Sequence, residues 1–67
     1  MKYIIMKESI AVEKGVIPED HYFPTQDNQV IFKKDMLTIY SQKEHHLDFE
    51  YKELETAQAL NKIDTWK

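Results

Sequence analysis

The sequence predicts an α+β domain: a small antiparallel sheet of three or four strands, a short N-terminal helix, and a C-terminal helix packed on one face. Three observations indicate this fold class. A β-branched and aromatic segment opens the sequence, a helical apolar stripe occupies its last quarter, and short strand-like segments lie between the two. With 67 residues the chain has material for one domain, which we take to span residues 1–67.

The first strand is predicted over Met1–Lys7, where aromatic and β-branched residues stand between lysines. A short helix is predicted to follow over Glu8–Gly15. Ser9 is positioned to cap its start, because a hydroxyl can accept a hydrogen bond from a free backbone N–H group of the first turn. Gly15 is positioned to take the left-handed conformation after its end, which costs glycine little.

The next stretch, residues 16–29, is predicted to be irregular because Pro18 and Pro24 interrupt any continuous element. Residues 19–23 have room for a single helical turn between the two prolines. Residues 25–28 have the sequence Thr-Gln-Asp-Asn, which is typical of a turn.

A hairpin is predicted after this turn, with strands at Val30–Phe32 and Leu37–Tyr40 and its own turn at Lys33–Asp35. The β-branched and aromatic residues at 39 and 40 favour the second strand. The alternative is a helix that starts at Met36 with Asp35 as its N-cap.

The segment Leu47–Lys52 alternates apolar and polar residues, which predicts a half-buried strand. Three side chains would then share the buried face: Leu47, Phe49 and Tyr51. The alternative for residues 42–52 is a helix, because Ser41 and Glu44 have the spacing of a capping box. A helix would spread the three apolar residues around its circumference, since 47 and 49 would lie about 200° apart. We therefore favour the strand.

The C-terminal helix is predicted over Lys52–Ile63, which is rich in strong helix formers. Residues at i, i+3, i+4 and i+7 form one face toward the sheet: Thr56, Ala59, Leu60 and Ile63. Trp66 is positioned to hold the end of the chain against the domain.

Composition excludes several kinds of site. There is no cysteine, so disulfides and thiolate-bound metals are excluded. All nine cationic side chains are lysine, which lacks the planar fork that arginine offers to phosphates and guanine. A single glycine excludes a glycine-rich phosphate cradle, and we expect no cofactor.

Charge and hydropathy bear on partners and location. The net charge of −3 opposes binding to duplex nucleic acid. No apolar run approaches the roughly 20 residues needed to span a bilayer, and Tyr3–Met6 is too short for a signal-peptide core. We expect a cytoplasmic protein with no membrane partner. The lysine-only composition also fits an AT-rich coding sequence, as in many phages and low-GC bacteria.

One candidate site is a metal centre. On the predicted strand, His46 and Asp48 share a face at i, i+2, a spacing that can chelate an ion, while His45 points to the opposite face. His21 in the proline-bounded stretch could supply the third protein ligand. If the segment were helical instead, His46 and Glu50 would form the i, i+4 pair. The alternative is that the adjacent histidines lie in a solvated turn.

A second candidate is nucleic-acid binding. Residues 10–20 loosely resemble the junction of a helix-turn-helix, with Ala11 and Gly15 four apart. The resemblance covers about ten residues. Glu19 and Asp20 would open the recognition helix and repel phosphates, and Pro24 would end that helix after one turn. Nucleic acid is therefore not the partner we expect.

A third candidate is a protein-binding surface. Residues 44–55 contain five acids and one lysine, and an acidic face that includes Asp48 and Glu50 could attract a basic protein. The alternative is an ordinary solvated face, in which the last acids favour the start of a helix.

Aromatic and strand residues extend this prediction. Tyr22 and Phe23 lie between two prolines and could plug the core or anchor a partner, since such residues are enriched at interfaces. The strand Tyr3–Met6 could be an unpaired edge, through which Tyr3 and Ile5 would contact a second copy. A homodimer would also enlarge the small core of so short a chain.

Taken together, the sequence predicts a small non-enzymatic protein-interaction or regulatory module, self-associating as a homodimer, of the kind that phages and mobile elements encode. The first alternative is a minimal metal-binding protein or enzyme that uses histidine and carboxylate ligands. The second alternative is a nucleic-acid-binding regulator.

Overall fold

The structure, a computed structural model, describes residues 1–66. Within this range the chain forms four strands and three helices, in the order β1 (Lys2–Lys7), α1 (Glu8–Glu13), β2 (Thr25–Gln26), β3 (Gln29–Lys33), α2 (Lys34–Gln42), β4 (Lys52–Glu55) and α3 (Thr56–Thr65). The predicted α+β class is confirmed, with a four-stranded antiparallel sheet, a short N-terminal helix and a C-terminal helix. None of the helices in residues 1–66 is long and apolar enough to cross a membrane.

The strand order is β2-β3-β1-β4, which places β1 inside the sheet. β1 pairs with β3 from Tyr3 to Lys7 and with β4 from Lys2 to Ile5. The expectation that this strand is an unpaired edge was therefore wrong. Its second partner, β4, has one apolar residue, Leu54, in four, so its sequence gives little sign of a strand.

One face of the sheet is well covered. Ile4 lies opposite Phe32, and Met6 lies opposite Val30, so these four side chains point to the same side. They join a buried cluster with residues from α1, α2 and the chain after α1: Ala11, Val16, Ile17, Leu37 and Tyr40. The covered face contains the main hydrophobic core, whose burial stabilises the fold.

The other face is covered by α3, which packs on β1 and β4. Ile31 lies opposite Ile5 and is 1% exposed, yet it lies outside the main core cluster. Ala59 of α3 is completely buried and also lies outside it. The sheet is thus a middle layer, with α1 and α2 on one side and α3 on the other.

The hairpin predicted around Lys33–Asp35 is wrong, because α2 begins at Lys34. Leu37 and Tyr40 are buried, and their i, i+3 spacing fits one helical face better than a strand. The alternative helix starting near Asp35 is the closer prediction, although Lys33 occupies the N-cap position.

The hairpin that does form joins β2 to β3 through Asp27 and Asn28, whereas Thr25 and Gln26, which were predicted as part of the turn, form β2. Asp27 and Asn28 have φ values of 50° and 61°. Two consecutive left-handed residues are the requirement of a tight two-residue hairpin turn, and Asp and Asn tolerate that conformation.

The strand predicted over Leu47–Lys52 is wrong. α2 ends at Gln42 and β4 begins at Lys52, so residues 43–51 form neither strand nor helix. Leu47 and Tyr51 are exposed, and Phe49 is half-buried. Alternation alone does not make a strand, because strand pairing must satisfy the backbone hydrogen-bonding groups as well.

The C-terminal helix is confirmed, but it begins at Thr56 rather than Lys52. A capping box sets that start: the Glu55 side chain accepts from the backbone of Gln58, and the Gln58 side chain accepts from the backbone N–H of Glu55. The capping box at Ser41, which was the alternative for residues 42–52, does not form either, and the Ser41 hydroxyl donates to the carbonyl of Thr38.

The prediction for the end of α1 is confirmed, whereas the cap predicted for its start is wrong. Gly15 has φ +80°, as predicted, and its N–H donates to the carbonyl of Val12 at 3.1 Å. Ser9 does not cap the helix with its side chain. Instead, Asn28 of the hairpin turn accepts two hydrogen bonds, from the N–H of Glu8 at 2.9 Å and the N–H of Ser9 at 3.0 Å.

Candidate functional site

The most exposed aromatic side chain lies at the tip of the segment Pro18–Pro24, which we call the Tyr22 loop. The Tyr22 side chain is 101% exposed, whereas its neighbours His21 and Phe23 are half-buried. The sequence could not say which of the two adjacent aromatic residues points inward. The structure turns Phe23 toward the core and Tyr22 into solvent.

His21 fixes the loop to the start of α1. Its ring is 4% exposed, and its Nε2 lies 2.8 Å from Oε2 of Glu8. The backbone N–H of Phe23 donates to Nδ1 at 3.1 Å. Because Nδ1 accepts, the proton of the neutral ring lies on Nε2, which donates to the Glu8 carboxylate. Both ring nitrogens are therefore occupied by hydrogen bonds that hold the loop.

Phe23 fixes the loop to the core. Its ring stacks on His21 with a centroid distance of 5.5 Å and packs against Phe32 at 5.9 Å. At the end of the loop, the N–H of Ile31 donates to the carbonyl of Pro24 at 3.1 Å. Aromatic pairs of this geometry stabilise beyond their buried area. The loop thus presents Tyr22 from an anchored backbone.

The helical turn suggested for residues 19–23 does not form; these residues lie outside every helix of the described chain. The backbone N–H of His21 donates to the carbonyl of Pro18 at 3.3 Å, which makes a single turn rather than a helix. The resemblance of residues 10–20 to a helix-turn-helix therefore stops at α1, because no recognition helix follows.

The predicted metal ligands are not brought together. Among residues 1–66, no group of three histidine or carboxylate side chains could hold a metal ion. His21 is engaged by Glu8, and Asp48 lies 3.6 Å from Lys14. His46 is exposed, while His45 stacks on Tyr40 with a centroid distance of 4.4 Å.

The predicted acidic face is largely paired with lysines from other elements. Glu53 lies 2.7 Å from Lys34 of α2, and Glu55 pairs with Lys2 of β1. The hydrogen bond from Lys34 lowers the pKa of Glu53, and the hydrogen bond from Lys2 lowers the pKa of Glu55. With Asp48 near Lys14, three of the five acids in residues 44–55 have a lysine partner.

A groove opens where α3 leaves the sheet uncovered. The pairing of β1 with β4 ends at Ile5 and Lys52, so Met6 and Lys7 have no β4 partner. The resulting β1–α3 groove has a volume of about 940 Å³ and is bounded by β1, α1, β4, α3, Gln29 of β3 and residues 49–51. Its apolar lining comprises Ile5, Met6, Ile10, Phe49, Tyr51 and Leu54.

The charged side chains that line the β1–α3 groove are mainly cationic. Three lysines line it, Lys7, Lys52 and Lys62, against one carboxylate, Glu50. Sequence reasoning missed the lysines because they come from β1, β4 and α3, which only the fold brings together. No local spacing could have indicated them.

The remaining predicted contact residues divide between sheet and groove. Tyr3 is half-buried and lies between Lys33 and Leu54 in the sheet. Ile5 and Glu50 both line the groove. The structure therefore assembles two separate surfaces from the predicted partner residues: the Tyr22 loop and the β1–α3 groove.

Comparison with known proteins adds no assignment to this geometry. No protein-family model, curated protein or solved structure matches the chain.

Proposed function

We propose that this protein is a non-enzymatic interaction module whose main contact is the Tyr22 loop. The observation that carries the proposal is the 101% exposure of Tyr22 between two neighbours that are anchored to the domain. A bulky side chain turned entirely into water contributes nothing to the stability of the free fold. Its burial against a partner would remove that apolar surface from solvent.

The physical chemistry of the loop supports a binding role. Tyrosine is enriched at energetic hot spots, because it offers a large contact area and a hydroxyl with few rotatable bonds. Hydrogen bonds at His21 and ring packing at Phe23 already order the backbone on either side. Binding to a pre-organised loop costs less conformational entropy than ordering a flexible one.

The charge of the loop indicates the kind of surface that it would meet. Glu19 and Asp20 precede the anchored His21 and are exposed. A partner that buries Tyr22 would bring its own surface close to both carboxylates. We therefore expect an apolar pocket with a cationic rim, since complementary charges speed encounter and fix the register of binding.

The proposal is tested by site-specific photo-crosslinking in cells that express the chain natively. A photo-reactive phenylalanine analogue replaces Tyr22 in one variant and Ile39 in a matched control, because Ile39 is also an exposed hydrophobic residue, at 52%. We expect discrete protein adducts from position 22 that the control position does not give. Equal adducts from both positions, or none from position 22, would contradict the proposal.

A binding measurement then follows with the species captured at position 22. Tyr22→Ala is expected to weaken its affinity at least tenfold, which is the effect of removing a hot-spot aromatic. The fold should be unchanged, because the Tyr22 side chain makes no buried contact. If Tyr22→Ala binds the captured species with unchanged affinity, Tyr22 is not the residue that anchors the contact.

The biological setting is a separate proposal. The lysine-only composition supports an origin in a phage or mobile element, and we propose a cytoplasmic location because no apolar run approaches the length of a membrane span. Sequencing the genomic region around the coding sequence tests this origin. A location among chromosomal housekeeping genes would contradict it.

A further inference from the structure

We propose that the β1–α3 groove binds the Tyr22 loop of a second copy of this chain. The inference rests on the proposed function, in which that loop is the binding element, and it names the partner. The Tyr22 side chain is completely exposed, so the loop does not occupy the groove of its own chain. The contact is therefore between copies, and a two-fold pair would contain it twice.

The size and lining of the groove suit this occupant. Its volume of about 940 Å³ lies in the upper part of the range of roughly 300–1,000 Å³ typical of ligand sites. It can therefore take an aromatic ring together with adjacent backbone. Phe49 and Leu54 in its lining are only half-buried, and Tyr51 is 36% exposed. A ring placed against them would remove this residual apolar surface from water.

The charges of the two surfaces are complementary. The groove carries three lysines and one carboxylate in a chain whose net charge is −3. The loop carries Glu19 and Asp20 shortly before Tyr22. When the ring enters the apolar part of the groove, the two carboxylates come close to the rim. The rim lysines that we expect to meet them are Lys7, Lys52 and Lys62.

The groove lysines are available for this role. Among residues 1–66, the ion pairs engage His21 and the lysines Lys2, Lys14 and Lys34. None of them uses a groove lysine. The cationic groups that would meet the loop are therefore among the lysines that form no ion pair within the described residues.

Self-pairing of the free β4 edge is a poorer route to a dimer. A two-fold axis perpendicular to the sheet pairs residues of equal parity, so the registers centred within β4 place Lys52 opposite Lys52, Glu53 opposite Glu53, or Glu53 opposite Glu55 of the other copy. Like charges directly opposite each other destabilise a strand pair. The loop-and-groove contact instead brings acidic loop residues to the groove lysines, and it is therefore the dimer contact that we propose.

The first test is the oligomeric state of the purified chain by analytical ultracentrifugation, at concentrations up to the order of 100 µM. We expect concentration-dependent association at low salt that weakens as salt is added. Tyr22→Ala, which removes the anchor, and Lys52→Glu, which reverses a groove charge, should each weaken association at least tenfold. Ile39→Ala is the matched control, outside both surfaces, and should associate like the wild type.

The second test is complementation. Tyr22→Ala retains an intact groove, and Lys52→Glu retains an intact loop. At a concentration where each variant alone is monomeric, a mixture of the two should therefore form a mixed species. Adding Asp20→Lys to Lys52→Glu in one chain should restore self-association. Circular dichroism confirms that each variant is folded. A mixture or a double variant that does not associate would overturn the loop-and-groove contact.

The outcomes separate this inference from the proposed function. If the wild type is monomeric at every concentration while position 22 crosslinks a different protein, the self-association is wrong and the interaction module stands. If copies associate equally well with Tyr22→Ala, the inference is wrong, and crosslinking at position 22 decides the proposed function independently.

Discussion

The two long connections of the chain begin alike and are then held differently. Residues 14–24 follow α1, and residues 43–51 follow α2. Each leaves its helix through a left-handed residue, Gly15 with φ +80° in the first and Glu44 with φ +65° in the second. In the first connection, Val16 and Ile17 are buried, and His21 and Phe23 are half-buried.

In the second connection, Phe49 alone is half-buried, and the other eight residues are exposed. Its further contacts are the stacking of His45 on Tyr40 and the 3.6 Å approach of Asp48 to Lys14. The difference teaches that irregular backbone can be firmly held or loosely held, depending on how many side chains it buries. The proposed binding residue lies in the firmly held connection.

The largest expected difference comes from removing the aromatic anchor of each connection. Phe23→Ala should lower the free energy of unfolding by about 2–3 kcal/mol, below the range for a fully buried phenylalanine because Phe23 is half-buried. Phe49→Ala should lower the free energy of unfolding by about 1–2 kcal/mol. The loss is smaller because the Phe49 ring packs against Tyr40 and the exposed Tyr51 rather than against Phe32. Urea unfolding followed by circular dichroism measures both. Equal losses of unfolding free energy in the two variants would contradict the proposed difference between the two connections.

His21→Ala breaks the first connection at its polar anchor. It removes the hydrogen bond to Glu8 and leaves the N–H of Phe23 without its acceptor, so we expect a loss of about 1–2 kcal/mol. His46→Ala in the second connection is the matched control, and because His46 is exposed we expect less than about 0.5 kcal/mol. Hydrogen exchange at the Phe23 amide should accelerate only in the first variant. If His21→Ala changes neither the free energy of unfolding nor the exchange of the Phe23 amide, the hydrogen bond between His21 and Glu8 does not hold the loop.

The left-handed residues should respond with opposite signs. Gly15→Ala should destabilise by about 1 kcal/mol, because the added Cβ disfavours this backbone conformation although it would meet no atom within 4 Å. Glu44→Gly should be neutral or stabilise by up to about 1 kcal/mol, as relief of strain exceeds or offsets the added freedom of the unfolded chain. Thermal and urea unfolding of both variants check this. A clear loss of stability in Glu44→Gly would contradict it.

Asp48→Asn should have the smallest effect. The Asp48 carboxylate is exposed and lies 3.6 Å from Lys14, and exposed pairs of this kind contribute little. We expect a change in unfolding free energy within about 0.5 kcal/mol in either direction. A larger loss would mean that the second connection is held by this ion pair as well as by Phe49.

Local sequence signals predicted the parts of the fold that local chemistry determines. Gly15 lies in the left-handed position after α1 that favours glycine, and Asp27 and Asn28 form the second half of the predicted turn, while Thr25 and Gln26 form β2. The C-terminal helix followed from its apolar spacing, and Ala59 on the predicted face is completely buried, but Leu60, predicted on the same face, is 56% exposed. These features depend on neighbours within a few residues.

The parts that were wrong depend on contacts across the chain. β4 is a strand because it pairs with β1, not because Lys52–Glu55 favours extended structure. In α2, the strand preference of Ile39 was misleading: its side chain is 52% exposed, while Leu37 and Tyr40 face the core. Tertiary packing outweighs local propensity in segments this short.

The candidate site also combines residues that the sequence predicted with contacts across the chain that it did not predict. The sequence named Tyr22 and Phe23 but could not distinguish the exposed ring from the buried one, because that depends on Phe32 of a distant strand. It did not predict that Glu8 would bind His21. The sequence did not predict the groove, because the shape of the groove depends on the residue at which β1 and β4 stop pairing.

The central position of β1 has a consequence for synthesis. Lys2 and Glu55 are 53 residues apart in the chain and pair across the sheet, and the Thr56 hydroxyl donates to the carbonyl of Met1 at 2.9 Å. On the ribosome, the second edge of β1 must therefore wait for most of the chain to emerge. Closing so long a loop is entropically costly and slow. During that wait, an apolar strand edge is open to other chains, and nascent copies are most vulnerable to aggregation then.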